Sequence, residues 1–160
     1  MGAMSQDQVQ LLDSGLMARL VEQARKSPRL RTNYNFHASM EENPHRFLNV
    51  MVKGTYFTPH RHLDPPKSEG FLVLKGEVAL FIFDDNGRVV SKHVLGRDAI
   101  GIDIQPGVWH TLVVLSDYAV CYEVKPGPYT ATTDKEFAPW APREGQPGAR
   151  EYAERLLSDT

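Results

Sequence analysis

GTYFTPHRHLDPPKSEGFLVLKG, residues 54–76, carries His60 and His62 one residue apart and then Glu69, between runs rich in β-branched and aromatic residues. In extended chain, residues two apart point to the same side, so both imidazoles can face one point. Glu69 opens the next strand-like run and can reach that point from a neighbouring strand. Further on, DIQPGVWHTLVVL (103–115) places His110 at the start of another run, just after the tight Pro106-Gly107 turn. Three imidazoles and one carboxylate are the donors of a transition-metal site. They suit Fe(II), Mn(II), Ni(II), Zn(II) or Cu(II) without choosing among them. The lack of thiolate ligands argues against a structural zinc, and four protein ligands leave one or two positions of a six-coordinate metal open.

The surrounding periodicity is two. FLNVMVKGTYF, FLVLKGEVALFIFDD, RVVSKHVL, AIGIDI, HTLVVL and YAVCYEV are short strand-like runs. Turn signals separate them at Lys75-Gly76, Asp85-Asn86-Gly87, Gly96-Arg97-Asp98, Pro106-Gly107 and Ser116-Asp117. Six or more closely spaced strands without a crossover helix predict an antiparallel sandwich or barrel over residues 47–125.

Residues 5–46 precede it. Leu16, Leu20, Val21 and Ala24 recur at helical spacing, which predicts a helix over 15–26, capped by Ser14 and ended by Ser27-Pro28. Residues 29–46 are polar with aromatics at Tyr34 and Phe36. They read either as a solvated loop or as a segment folding over a pocket with Arg31, Asn35, His37 and Arg46, joined by Asn49 of the first barrel strand, as contacts to a sugar or an anion. Residues 126–160 start proline-rich but hold Tyr129, Phe137 and Trp140, which predicts an extended segment packed on the barrel or on a neighbouring subunit. A short helix over 149–157 follows, with a Glu151–Arg155 pair on its surface.

At 160 residues the chain is long enough for one domain with a core. A formal charge of −2 gives no general pull toward nucleic acid or anionic membrane, and no run approaches the roughly 18 apolar residues of a membrane helix. Cys121 is the one cysteine, so no internal disulfide forms. Residues 1–4 read as a cloning scar, and the N-terminus lacks a signal-peptide pattern, so a cytoplasmic protein is expected.

Gly54, His60, His62, Glu69 and Gly76, in the order G-x5-H-x-H-x6-E-x6-G, resemble the first cupin motif. Gly101, Pro106, Gly107 and His110 resemble the second. The resemblance implies a single-domain jelly-roll β-barrel, mainly β, in which His60, His62, Glu69 and His110 hold one divalent metal. The six residues LDPPKS between His62 and Glu69 exceed the usual cupin spacing and make Glu69 the conditional ligand. Val114 stands where the second motif usually has asparagine. NYNFH, TYFTPHRHLDPPK, FDDNG, PGVWHT, EVKPGPY and DKEFAPWAP are similar to WbuC-type cupin metalloproteins, found in bacterial clusters for O-antigen and related surface polysaccharides. Analogy with cupins implies a homodimer, with the tail and the N-terminal helix as its candidate contacts.

Other residues carry two readings. Glu123 is either a strand-end glutamate paired with a lysine or arginine, or a pocket carboxylate for acid/base work or as a substitute for Glu69. Lys67 is a solvated loop cation or a charge near the metal. Cys121 reads as a buried apolar residue, His45 and His93 as surface residues, and Trp109 as packing in the outer layer. The expected function is a metal-dependent enzyme, of isomerase or epimerase type, acting on a small polar molecule such as a sugar or nucleotide-sugar, with Glu123, Lys67 or a metal-bound water moving the proton. An iron-dependent dioxygenase, a non-catalytic ligand-binding or regulatory module and, third, a structural or storage cupin are the alternatives.

Overall fold

A computed structural model describes residues 8–159; the segment 1–4 lies outside them. In chain order the elements are α1 (Ser14–Lys26), β1 (Arg31–Asn35), β2 (His45–Val52), β3 (His60–Arg61), β4 (Glu69–Lys75), β5 (Val78–Phe83), β6 (Val89–Leu95), β7 (Gly101–Ile104), β8 (Trp109–Val114), β9 (Tyr118–Lys125), β10 (Glu136–Phe137) and α2 (Ala149–Ser158). The strands form two five-stranded antiparallel sheets, ordered β1-β2-β9-β4-β7 and β10-β3-β8-β5-β6. This is the mainly β, two-sheet jelly roll that the cupin motifs imply, with one helix near each end.

Alternation decides what each strand presents. On β5, Val78 and Leu80 enter the core between the sheets, while Ala79, Phe81 and Phe83 pack outward under Trp109, Ala138 and Leu156. On β2, Met51 enters that core, while Leu48, Val50 and Val52 pack outward against Leu16, Leu20, Val21 and Ala24 of α1. The inner core fills one end of the interior with Met51, Phe71, Leu80, Ile104, Leu112 and Cys121. The other end receives the polar residues of the site.

Four local expectations are corrected. Residues 31–35, read as part of an irregular segment, form β1, paired with β2 from Arg31↔Met51 to Asn35↔Phe47. Their polar side chains hid a strand whose partner supplies the apolar face. The cap of α1 is Asp13, whose Oδ1 accepts from Leu16 N at 2.9 Å, not Ser14. On α2 the ion pair joins Arg150 and Glu154 at 3.1 Å rather than Glu151 and Arg155. His45 is buried, 1% exposed, with its ring stacked on His37 at 4.1 Å. His93 is exposed, as expected.

The Asn86-Gly87 hairpin forms between β5 and β6, with Asp84 Oδ1 accepting from Asn86 N and Arg88 N at 2.9 Å each. The aromatic tail packs on its own chain. Glu136–Phe137 pair with Arg61 and His60, Ala138 N donates to Pro59 O at 2.9 Å, and Trp140 lies against Phe83 and Trp109. Among the described residues no helix is long and apolar enough to cross a membrane.

These placements separate core from surface contributions. Phe81→Ala should cost about 3–5 kcal/mol, and Asp13→Ala about 1 kcal/mol, read from denaturant midpoints followed by circular dichroism. Equal losses at the two positions would contradict the packing described.

Candidate metal centre

Antiparallel register brings the ligands together. His60 on β3 is the direct partner of His110 on β8. His62 lies just past β3, and Glu69 opens β4 in the facing sheet. Gly107, in the left-handed region at φ 81°, completes the turn before His110, and its N–H donates to His62 O at 3.1 Å. All four side chains are buried, and their candidate ligand atoms lie within 4.8 Å of one another.

The backbone fixes the three imidazole tautomers. Each Nδ1 faces a carbonyl oxygen: Thr58 O for His60 at 2.9 Å, Asp134 O for His62 at 2.6 Å and Val108 O for His110 at 2.9 Å. A carbonyl only accepts, so each Nδ1 carries a proton and donates. In the neutral rings every Nε2 is then a lone pair turned away from its backbone partner. His62 Nε2 lies 2.9 Å and His110 Nε2 3.4 Å from Glu69 Oε2, an acceptor as well. Among the described residues, buried His110 Nε2 has no well-aligned hydrogen bond; its nearest polar neighbour is the Glu69 carboxylate. Facing acceptors out of water are costly, and positive charge among them, a proton on an imidazole or a metal ion, relieves that cost.

The electrostatics agree. Burial raises the proton affinity of Glu69, but bonding to His110 and His62 outweighs it and holds the carboxyl well below its ordinary range. Burial works against a charged His110, and Glu69 outweighs it, so His110 shifts up. His60, buried and next to His110, shifts well down and stays neutral. Three imidazole nitrogens and a carboxylate oxygen around one point fit a divalent transition metal, whose charge would take the place of the proton that Glu69 favours on His110.

The centre opens on a cavity of about 340 Å³, walled by Phe47, Phe57, Phe71 and Phe137 among others. Glu123 is buried in this wall. Asn49 Nδ2 donates to its Oε1 at 3.0 Å, and burial followed by the charge of Glu69 pushes its pKa up to about 7. Glu123 is therefore not held in a salt bridge with a lysine or arginine, the first of its two expected readings.

Of the expected ligand contacts, Arg31 and Asn49 line this cavity. Asn35 and His37 line an adjoining chamber of about 220 Å³, which shares Asn33, Phe47, Lys125, Tyr129, Asp134 and Lys135 with the first. Arg46 reaches neither; it pairs with Glu42 at 3.0 Å. Strand phase explains the split, since Arg46 and Asn49 are three residues apart on β2 and face opposite sides. The same phase puts His45 on the face of Phe47 and Asn49, a signal the sequence reading passed over. Arg31 also serves Glu144, at 2.7 Å, and stacks over Phe57 at 4.3 Å.

Lys67 is not a solvated cation. It is 5% exposed, donates to Pro128 O at 2.8 Å and pairs with Asp134 Oδ1 at 3.3 Å. Trp109 packs outward beneath Arg61 and donates to Asp85 Oδ1 at 3.0 Å. Asn33, Lys125, Tyr129, Asp134 and Lys135 line the cavity and were not singled out as site residues in the sequence. Asn33 was legible from its period-two place between Arg31 and Asn35. The others come from the tail and the strand entering it, where no periodicity points.

A family model described as "Domain of unknown function (DUF6016)" matches residues 12–95. No curated protein matches the chain. Solved structures similar to it include the capsular polysaccharide assembling protein CapF from Staphylococcus aureus, at 20% identity and a TM-score of 0.58, over 69% of this chain and 32% of that one. This chain thus spans about a third of CapF. The protein TT1209 from Thermus thermophilus is similar at 17% identity and a TM-score of 0.54, over 74% of this chain and 97% of that one. SO0799 from Shewanella oneidensis follows at 10% identity and a TM-score of 0.55, over 79% and 85%. At these identities the likeness is one of fold.

The joint variant His60→Ala/His110→Ala should lose bound transition metal by elemental analysis while its circular dichroism spectrum persists; full occupancy would refute the site. A second outcome concerns the rim. Glu144 is held at about 2, below its ordinary 4.5, by the Arg29 hydrogen bond and then Arg31, against burial. A depressed carboxyl stabilises the fold above pH 4.5, and that contribution is lost as pH falls toward 2. Glu144→Gln should flatten the acid limb of stability in that window, as measured by thermal melts across pH.

Proposed function

The chain belongs to the DUF6016 family, a domain of unknown function, and we propose that it is a metal-dependent cupin enzyme acting on a small polar substrate, a sugar or nucleotide-sugar, in bacterial surface polysaccharide synthesis. The observation that carries the metal-dependent part is that His62 and His110 Nε2 face the Glu69 carboxylate at 2.9 and 3.4 Å, with a ligand atom of His60 within 4.8 Å of the others. The polysaccharide context is supported by the WbuC-type motifs and by the fold shared with CapF. In this reading the protein works in the cytoplasm as a homodimer.

His60, His62, Glu69 and His110 would hold the ion. When bound, a divalent metal supplies Lewis-acid stabilisation of negative charge on a carbonyl or hydroxyl oxygen. Glu123 is the proton carrier. With a pKa near 7, it can take a proton from a carbon next to a carbonyl at its oxygen not bonded to Asn49, and return it at the other position of an isomerisation or epimerisation. The electron pair left on carbon moves to the neighbouring carbonyl oxygen. Asn49 keeps the Glu123 carboxyl aimed. Lys67, occupied by Asp134 and Pro128, acts in this reading as a positioning residue.

Protein purified without a histidine tag should contain a transition metal close to stoichiometry. Incubated in deuterium oxide with sugars and nucleotide-sugars, it should introduce deuterium at a ring carbon, read by mass spectrometry. Glu123→Gln should slow this by about 10²-fold or more with metal retained. Ligand binding without exchange would favour a binding module, and oxygen consumption with iron would favour a dioxygenase; either result displaces the proposed activity.

A further inference from the structure

Lys135 follows Asp134 in the tail, and the charges around it single it out. Five cationic side chains lie in or just behind the cavity wall. Four of them are organised in two groups of the same form, two cations sharing one carboxylate. Asp134 receives Lys67 at 3.3 Å and Lys125 at 3.0 Å. Glu144 receives Arg29 at 2.8 Å and Arg31 at 2.7 Å. Each group therefore carries surplus positive charge. Lys135, the fifth, makes neither a hydrogen bond nor an ion pair among the described residues.

Lys135 keeps solvent access, so a plain surface cation is the competing account. Two observations set it apart. It lines both the metal cavity and the adjoining chamber, at their junction. Its charge is also felt at His60 and Glu123, and it feels Glu69, Glu123 and Asp134 in turn. Crowding by protein, followed by the charge of Lys125, lowers its own pKa, as expected for an ammonium lacking an adequate counter-ion.

We infer that Lys135 anchors a carboxylate of the ligand at the junction of the two chambers, so that the substrate is a small polar acid whose other oxygens face the His60/His62/Glu69/His110 centre. This inference narrows the proposed substrate to an acid, away from a phosphate-bearing nucleotide-sugar, and rests on the proposed function for the metal. These five cations outnumber the four carboxylates Asp134, Glu144, Glu69 and Glu123 in and behind the wall, and such a surplus attracts an anion. The anion is a carboxylate rather than a phosphate because of what remains available. Guanidinium forks suit phosphate best, and those of Arg29 and Arg31 are both committed to Glu144. A single point-charge ammonium is left, which matches one monoanionic group.

The test is calorimetric titration of metal-loaded protein with lactate, with its neutral counterpart lactamide and with inorganic phosphate. Lactate should bind at least about tenfold more tightly than lactamide, the scale of one charged hydrogen bond, and more tightly than phosphate. Lys135→Gln should bring lactate and lactamide within about twofold of each other at unchanged metal content, and Lys135→Arg should keep part of the preference. Equal binding of lactate and lactamide, no lactate binding, tighter phosphate binding, or a preference that survives in Lys135→Gln would each overturn the inference. Elemental analysis of the same samples separates the two readings. Wild type without metal refutes the metal centre, whereas loaded protein indifferent to Lys135 refutes only the anchor.

Discussion

Three hydrogen bonds from imidazole Nδ1 to backbone carbonyls set the terms for this site. Thr58, Val108 and Asp134 supply the carbonyls from three separate parts of the chain. Each bond fixes both the tautomer and the orientation of its ring. The jelly roll brings those parts together, through the pairing of β3 with β8 and the packing of the tail alongside. Because a carbonyl cannot move its proton, the rings have no local way to relieve the acceptor contacts with Glu69. The fold thus holds four acceptors in an arrangement that only a positive charge satisfies.

Much of this was legible in the sequence where periodicity and spacing carry information. The period of two announced the strands, and the histidine pair, the glutamate and the later histidine announced the cluster. Glu69, conditional on its longer gap, lies with the three histidines. What stayed hidden follows a pattern. β1 is polar because one side of it faces the cavity, so it lacks the apolar alternation of a strand. The tail has no period at all, yet Asp134 and Lys135 reach the site by tertiary packing. Arg46 and Asn49 were grouped by composition, where strand phase divides them. Propensity gave Ser14 as a cap, while hydrogen-bond geometry selects the neighbouring Asp13.

The lengthened segment between His62 and Glu69 acquires a physical purpose. Its Lys67 is buried against Asp134 and Pro128 of the tail. The residue that neutralises Lys67 also lends its backbone oxygen to His62. Burial favours a neutral Asp134, but Lys125 and Lys67 keep it ionised. One aspartate thereby links a loop insertion, a distant tail and a candidate metal ligand. Asp134 thus has two cationic partners, Lys67 and Lys125.

The apolar residues beneath the four ligands have an effect beyond packing. Met51, Phe71, Ile104, Leu112 and Cys121 form a floor of low dielectric constant under the centre. Charge placed above such a floor is screened poorly from below, and its field lines are directed toward the open side. The interior then acts as an electrostatic lens pointing out of the mouth. The alternation that fills a jelly roll with hydrocarbon at one end also gives the other end its long reach for charged molecules in solution.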